Sequence, residues 1–249
     1  MKTIFKKTTG LTDLQTHYCP GCTHGIVHRL VAEVLEEMGR VEDAIAVVPV
    51  GCSVLATSYF NMDGIQAAHG RAPATATGIK RVHPDNMVFT YQGDGDLASI
   101  GTAEIVHAAA RGEKITTIFI NNGIYGMTGG QMAPTTLPGM KATTAQDGRD
   151  VKVHGYPIRV CEMLSVLDGP AFIQRVSVNS PSAVTKAKKA IRRAFEIQDA
   201  GLGFTLIEVV STCPTNWGQT AEAAMKFVEE EMIPYYPLGV YKDITQEVE

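Results

Sequence analysis

No apolar run in this 249-residue chain is long enough to cross a membrane. The strongest, Ile45–Val50 and Ile115–Ile120, fall far short of the roughly 20 residues that a spanning helix needs. Nor is there a basic tract to offset the net charge of −4, so nothing draws the chain toward nucleic acid. The opening MKTIFKKTTGLTDLQTHY has lysines with no apolar stretch behind them, so it is not read as a secretory signal and a cytoplasmic location is expected. Cysteine is scarce and odd in number: Cys19, Cys22, Cys52, Cys161 and Cys213 argue against a disulfide framework. In a reducing compartment such residues bind metal or do chemistry more often than they pair. There is no internal repeat. What remains, 45% hydrophobic and 19% charged, is the balance of an ordinary globule. We expect one domain over 1–249, large enough to bury roughly 70–75% of its extended surface.

The hydrophobic pattern alternates between two periods. Gly25–Met38 has helical spacing at Ile26, Leu30, Val31, Val34 and Leu35. Ile45–Val50, Met87–Tyr91, Ile115–Ile120, Ala171–Val178 and Phe204–Val210 read as buried strands, with Pro49 near the end of the first, where a missing ladder donor matters least. Between them, Ala98–Arg111 (capped by Gly112), Ser182–Ala200 and Ala221–Met232 read as helices. This order predicts an α/β fold: a mostly parallel sheet with helices on both faces, and ligands at the carboxyl ends of the strands. Gly51-Cys52-Ser53, Gly93-Asp94-Gly95 and Asn121-Asn122-Gly123 each follow a predicted strand. The polar stretch Met127–Tyr156 is too long for a plain connection and is expected to have a function.

Chemistry singles out the second and third of those turns. Glycines at a strand end let the backbone approach a phosphate, and a helix beginning near Ala98 would aim its positive end there. A diphosphate also needs a cation. Mg²⁺ favours six oxygens, and Asp94, the Asn122 amide and the Ile124 carbonyl offer three. A GDG turn on one strand and NN on the next, with one helix and one strand between, resembles the motif of the thiamine-diphosphate enzymes.

The cysteines lie at comparable places. Cys19-Pro20-Gly21-Cys22 precedes a helix, Cys52 is in a strand-end turn, and Cys213 follows the strand Phe204–Val210. A C-x-x-C pair serves as a zinc half-site, a redox dithiol or part of an iron–sulfur site. A zinc ribbon needs a second close pair, and a dithiol has no use for Cys52 and Cys213, so four thiolates suit a cubane cluster. Cys161 reads as a buried small hydrophobe.

Taken together, HYCPGCTHG at 17–25, GCS at 51–53, HGRAPATATGIK at 69–80, QGDGD at 92–96 and NNGIYGMTGGQ at 121–131 resemble the β subunit of the 2-oxoacid:ferredoxin oxidoreductases. The similarity runs from about Thr16 to Asp243. It implies a [4Fe–4S] cluster on Cys19, Cys22, Cys52 and Cys213, and Mg²⁺ on Asp94, Asn122 and the Ile124 carbonyl. It implies a thiamine diphosphate pocket lined by Val50, Gly51, Cys52, Ser53, His69, Gly93, Gly95, Asp96, Gly126, Met127 and Thr128. The implied reaction is oxidative decarboxylation of a 2-oxoacid to acyl-CoA and CO2, with coenzyme A as co-substrate and ferredoxin as electron acceptor. No glutamate here is in a motif suited to activating the cofactor, so the resemblance implies that a partner α subunit supplies it, and that this chain holds no catalytic residue of its own. A γ subunit and a ferredoxin-like δ subunit complete the implied assembly.

Two positions depart from relatives. Met127 stands where some carry asparagine, and Gly129 where some carry lysine. Neither offers a charge to a second carboxylate, which favours a branched-chain 2-oxoacid and leaves 2-oxoglutarate open. Of the other histidines, His28 and His107 read as ordinary helix residues and His83 as part of a surface turn. His17, His24 and His154 are candidates for contact with cluster or substrate. Two rival readings stand beside this one. A non-oxidative thiamine decarboxylase or carboligase would not need the four cysteines, and a zinc-stabilised binding module would not need the GDG turn.

Overall fold

The computed structural model describes residues 6–245; the first five residues of the opening segment, and the ends of the expected 1–249 domain, lie outside them. Nine strands and nine main helices alternate. The strands are β1 (Ala44–Val48), β2 (Asp63–Gln66), β3 (Met87–Gly93), β4 (Thr116–Asn121), β5 (Ile124–Tyr125), β6 (Gln131–Met132), β7 (Pro170–Ser177), β8 (Phe204–Val210) and β9 (Gly239–Asp243). The helices are α1 (His24–Glu37), α2 (Ala56–Tyr59), α3 (Ala72–Val82), α4 (Thr102–Ala110), α5 (Val151–His154), α6 (Val160–Ser165), α7 (Pro181–Asp199), α8 (Pro214–Trp217) and α9 (Ala221–Phe227).

Seven strands form one sheet in the order β2-β1-β3-β4-β8-β7-β9, parallel throughout except for β9. Because side chains alternate across a strand, each central strand feeds two cores. Ala46 and Val48, Phe89 and Tyr91, Ile118 and Ile120, and Ile207 and Val209 point to the side covered by α1 and α7. Val47, Val88, Phe119 and Leu206 point to the side covered by α3, α4 and α6. The expected sheet with helices on both faces is what forms. The chain leaves β1 in opposite directions, outward to β2 and inward to β3. This switch point opens a crevice beyond the carboxyl ends of β1 and β3.

Several expectations need correcting. The first strand stops at Val48; Pro49 and Val50 have left the ladder, and Val50 is exposed. The helix expected from Ala98 instead begins as a wide π turn over Asp96–Ile100, and regular α geometry starts at Thr102. The break falls at Gly101, where a side chain would meet the Asp96 carbonyl at 2.5 Å and the Gly70 carbonyl at 2.8 Å. The positive end of α4 is therefore one turn removed from the phosphate turn. The strand Phe204–Val210 is not the last, since β9 adds an antiparallel edge. The helix Ala221–Met232 is regular only to Phe227. Gly112 does cap α4, at φ 60°, and Ser180 caps α7 by accepting the Ala183 N–H at 3.3 Å. No helix among the described residues is long and apolar enough to cross a membrane.

Candidate cofactor and cysteine site

Beyond the carboxyl ends of β1, β3 and β4 lies an open cavity. Its walls come from the turn after β1 (Val50, Gly51, Cys52, Ser53), the turn after β3 (Gly93, Asp94, Gly95, Asp96) and the segment after β4 (Asn122, Ile124, Gly126, Met127, Thr128), with His69 at the side. All the residues that the sequence assigned to diphosphate and magnesium thus meet in one place. Gly129 and His154 do not line it. His24 and Tyr125 do; the Tyr125 ring packs on Gly95 once β5 has turned back.

Asp94 is buried beneath this cavity. Its carboxylate accepts the Gly95 N–H at 3.0 Å, the Ile124 N–H at 3.1 Å and the Thr135 hydroxyl at 2.9 Å. Asn122 Oδ1 also accepts the Ile124 N–H, at 3.2 Å. Burial pushes the Asp94 carboxyl up to about 7; the neutral donors around it only partly offset that cost, and no cationic side chain contributes. A buried carboxylate held this way is suited to a metal cation. Ser53 Oγ is buried with no hydrogen-bond partner, and a Cβ on Gly93 would meet nothing within 4 Å. A free donor beside open backbone fits a phosphate group.

Asp96 also lines the cavity. Its carboxylate accepts from Gly70 N–H at 2.5 Å and Gln92 Nε2 at 2.6 Å, and lies 2.6 Å from His69 Nδ1. It anchors His69 at the cavity rim. The long segment Met127–Tyr156 is not a loose loop: β6 pairs with β5, and Arg149, buried, donates to the carbonyls of Ala133, Pro134, Thr136, His154 and Gly155. That clamp fixes Thr135 over Asp94.

A second, smaller cavity adjoins the first, and Cys19, Cys22, Cys52 and Cys213 all line it. Cys19-Pro20-Gly21-Cys22 closes as a type II turn: Gly21 has φ 78° and Cys22 N–H donates to the Cys19 carbonyl at 3.0 Å. Burial pushes Cys22 up to about 12 and Cys52 up to about 11, and neighbouring cysteines add to both shifts. Among the described residues no three His, Cys, Asp or Glu lie close enough to hold a single metal ion. The four cysteine side chains border one cavity. Cys161 is fully buried among the apolar residues under α6 and takes no part.

His24, Cys52, Asn122 and Gly126 border both cavities. His17 also borders the cysteine cavity. His24 is stacked on Tyr18 at 4.8 Å, with Nδ1 2.8 Å from the Tyr91 hydroxyl, and burial lowers it to about 4, so it is neutral. His28 is a buried residue of α1 in the same aromatic cluster, 4.7 Å from the Tyr91 ring.

Comparison with known proteins agrees with this geometry. Residues 49–209 match the family described as "Thiamine pyrophosphate enzyme, C-terminal TPP binding domain". The ketoisovalerate oxidoreductase subunit VorA of Methanothermobacter thermautotrophicus is 50% identical over 246 residues, covering 99% of this chain and 52% of the relative. The chain thus spans about half the length of that relative. The 2-oxoglutarate synthase subunit KorB of Methanocaldococcus jannaschii is 38% identical over 237 residues, covering 92% of this chain and 82% of the relative. A solved 2-oxoglutarate:ferredoxin oxidoreductase from Magnetococcus marinus, with 2-oxoglutarate, coenzyme A and succinyl-CoA bound, superposes with a TM-score of 0.79 at 26% identity, covering 98% of this chain and 86% of that one. The chain belongs to the thiamine-diphosphate-binding β subunits of the 2-oxoacid:ferredoxin oxidoreductase family.

Proposed function

We propose that this chain is the cofactor-bearing part of a cytoplasmic enzyme that converts a branched-chain 2-oxoacid, coenzyme A and two oxidised ferredoxins to acyl-CoA, CO2, two reduced ferredoxins and a proton. The observation that carries the reading is the shared wall between the two cavities: Cys52 and Gly126 border both, so an electron source in one has its acceptor in the other.

Asp94, Asn122 Oδ1 and the Ile124 carbonyl hold Mg²⁺. Ser53 and the backbone at Gly93 and Gly95 receive the diphosphate. Thiamine diphosphate, when bound, supplies the nucleophilic carbon and the electron sink for decarboxylation. Cys19, Cys22, Cys52 and Cys213 hold a [4Fe–4S] cluster. Neutral His24, the buried ring of Tyr91 and the half-buried ring of Tyr18 keep water from the wall between them.

Substrate preference follows from the lining. Met127 gives an apolar wall, and among the described residues no lysine or arginine borders the cavity to receive a second carboxylate. Greater identity to the ketoisovalerate enzyme than to the 2-oxoglutarate enzyme supports the same preference. No glutamate among the described residues borders the cavity either, which supports an activating acid supplied by an α subunit, with γ and δ subunits completing the path to ferredoxin. The assembled enzyme, assayed anaerobically for ferredoxin reduction, is expected to favour a branched-chain 2-oxoacid over 2-oxoglutarate; the reverse preference sinks the substrate assignment. This chain alone is expected to release almost no CO2. Rapid release would place the activating acid within it.

A further inference from the structure

Asn216 lies on α8, three residues beyond Cys213, in the wall of the cysteine cavity. Its side-chain Nδ2 donates to the Gly126 carbonyl at 3.0 Å and contacts Cys213 Sγ at 3.2 Å. The orientation of the amide is fixed by chemistry: a carbonyl only accepts, so the nitrogen must face Gly126, and the same nitrogen then faces the sulfur. The position is held from both sides. Trp217 N–H and Gly218 N–H close the short helix, and a Cβ built on Gly130 would touch Asn216 Oδ1 at 3.1 Å, so the loop after β5 packs directly on the amide.

Gly126 is the other half of this arrangement. A Cβ placed on it would lie 3.3 Å from Cys213 Sγ and 3.5 Å from Cys52 Sγ. The backbone that lines the cofactor cavity therefore runs between two of the four sulfurs, and one amide group ties that backbone to one of those sulfurs.

We infer that Asn216 is a positioning residue that tunes the cluster: its N–H to Cys213 raises the cluster's reduction potential, and its bond to Gly126 fixes the cofactor loop against the same sulfur. The inference rests on the cluster reading above. The physics is general. Reduction adds negative charge to the cluster and its thiolates, and a hydrogen-bond donor to a ligating sulfur stabilises the reduced form more than the oxidised one. The amide of Asn216 supplies such a donor to Cys213 Sγ, at 3.2 Å.

The test uses the assembled enzyme, purified anaerobically, in three forms: parent, Asn216→Leu, which keeps the volume but has no donor, and Asn216→Asp, which puts a carboxylate beside the sulfur. Iron is counted, and the potential of the cluster is read by redox titration followed by electron paramagnetic resonance. The expected result is full iron in all three and potentials falling in the order parent, Leu, Asp. The first step is on the order of a tenfold change in the ratio of reduced to oxidised cluster, about 59 mV for one electron. Equal potentials with full iron overturn the tuning role and leave the cluster reading standing. Iron lost from both variants, with the parent loaded, makes Asn216 a folding residue and overturns it as well. A parent free of iron overturns the cluster reading itself.

Discussion

The hydroxyl of Thr135 donates to the buried carboxylate of Asp94 at 2.9 Å, joining positions 41 residues apart. Thr135 is fully buried, and the Tyr236 hydroxyl donates to its carbonyl at 2.7 Å, so the contact is held from behind by the C-terminal segment. The donor serves the charged form of Asp94, the form that binds a cation.

Replacing Thr135 with valine keeps the shape and removes that donor. A hydrogen bond to a charged group contributes about 1.5–3 kcal/mol. Affinity for Mg²⁺–thiamine diphosphate should fall roughly tenfold to a hundredfold, with little change in fold. Calorimetric titration of the assembled enzyme checks this, and unchanged affinity would remove Thr135 from the metal site.

Burial raises the Asp94 carboxyl from its ordinary 3.8 to about 7. Between those values the folded chain keeps a proton that the unfolded chain has released. Stability of the cofactor-free protein should therefore fall as pH rises through this window and level off above about 7. Asp94→Asn should flatten that slope in denaturant titrations. Binding runs the other way: the cation must displace the proton, so Mg²⁺–thiamine diphosphate affinity should weaken about tenfold per pH unit below 7. An affinity independent of pH between about 5 and 7 would contradict the assignment.

Serine at Cys19, Cys22, Cys52 or Cys213 should lower the iron content and bleach the visible absorbance, since a cubane needs four thiolates. Serine at Cys161 should leave both near the parent level, because that side chain is buried under α6, away from the cavity. A full iron complement in Cys213→Ser would refute the four-ligand set.

Arg149 holds five carbonyl groups of the segment 127–156. Arg149→Met strands several buried acceptors and should cost on the order of 3 kcal/mol. Limited proteolysis should then cut within that segment, and cofactor affinity should drop with it because Thr135 loses its support. Resistance equal to the parent would make the clamp incidental.

Much of this was legible in the chain itself. Strongly apolar runs of one period specify β3, β4, β7 and β8. The glycine turns after β1, β3 and β4 fall where a parallel sheet presents its ligands, so spacing together with the family resemblance pointed to Asp94, Asn122 and the cysteines. Other parts could not. The edge strand β2, with the sequence DGIQ, has weak β-propensity and forms because β1 offers a free ladder. The helix α3 has small residues in place of a clear apolar stripe, and β9 exists only because β7 leaves an edge to pair. Local sequence sets period, turn chemistry and donor type, because those depend on neighbours a few bonds away. Which hydroxyl reaches Asp94, which amide reaches Cys213 and which backbone passes between two sulfurs depend on packing between segments far apart in the chain. Thr135, Asn216 and Arg149 carry no motif, and only the folded structure gave them their partners.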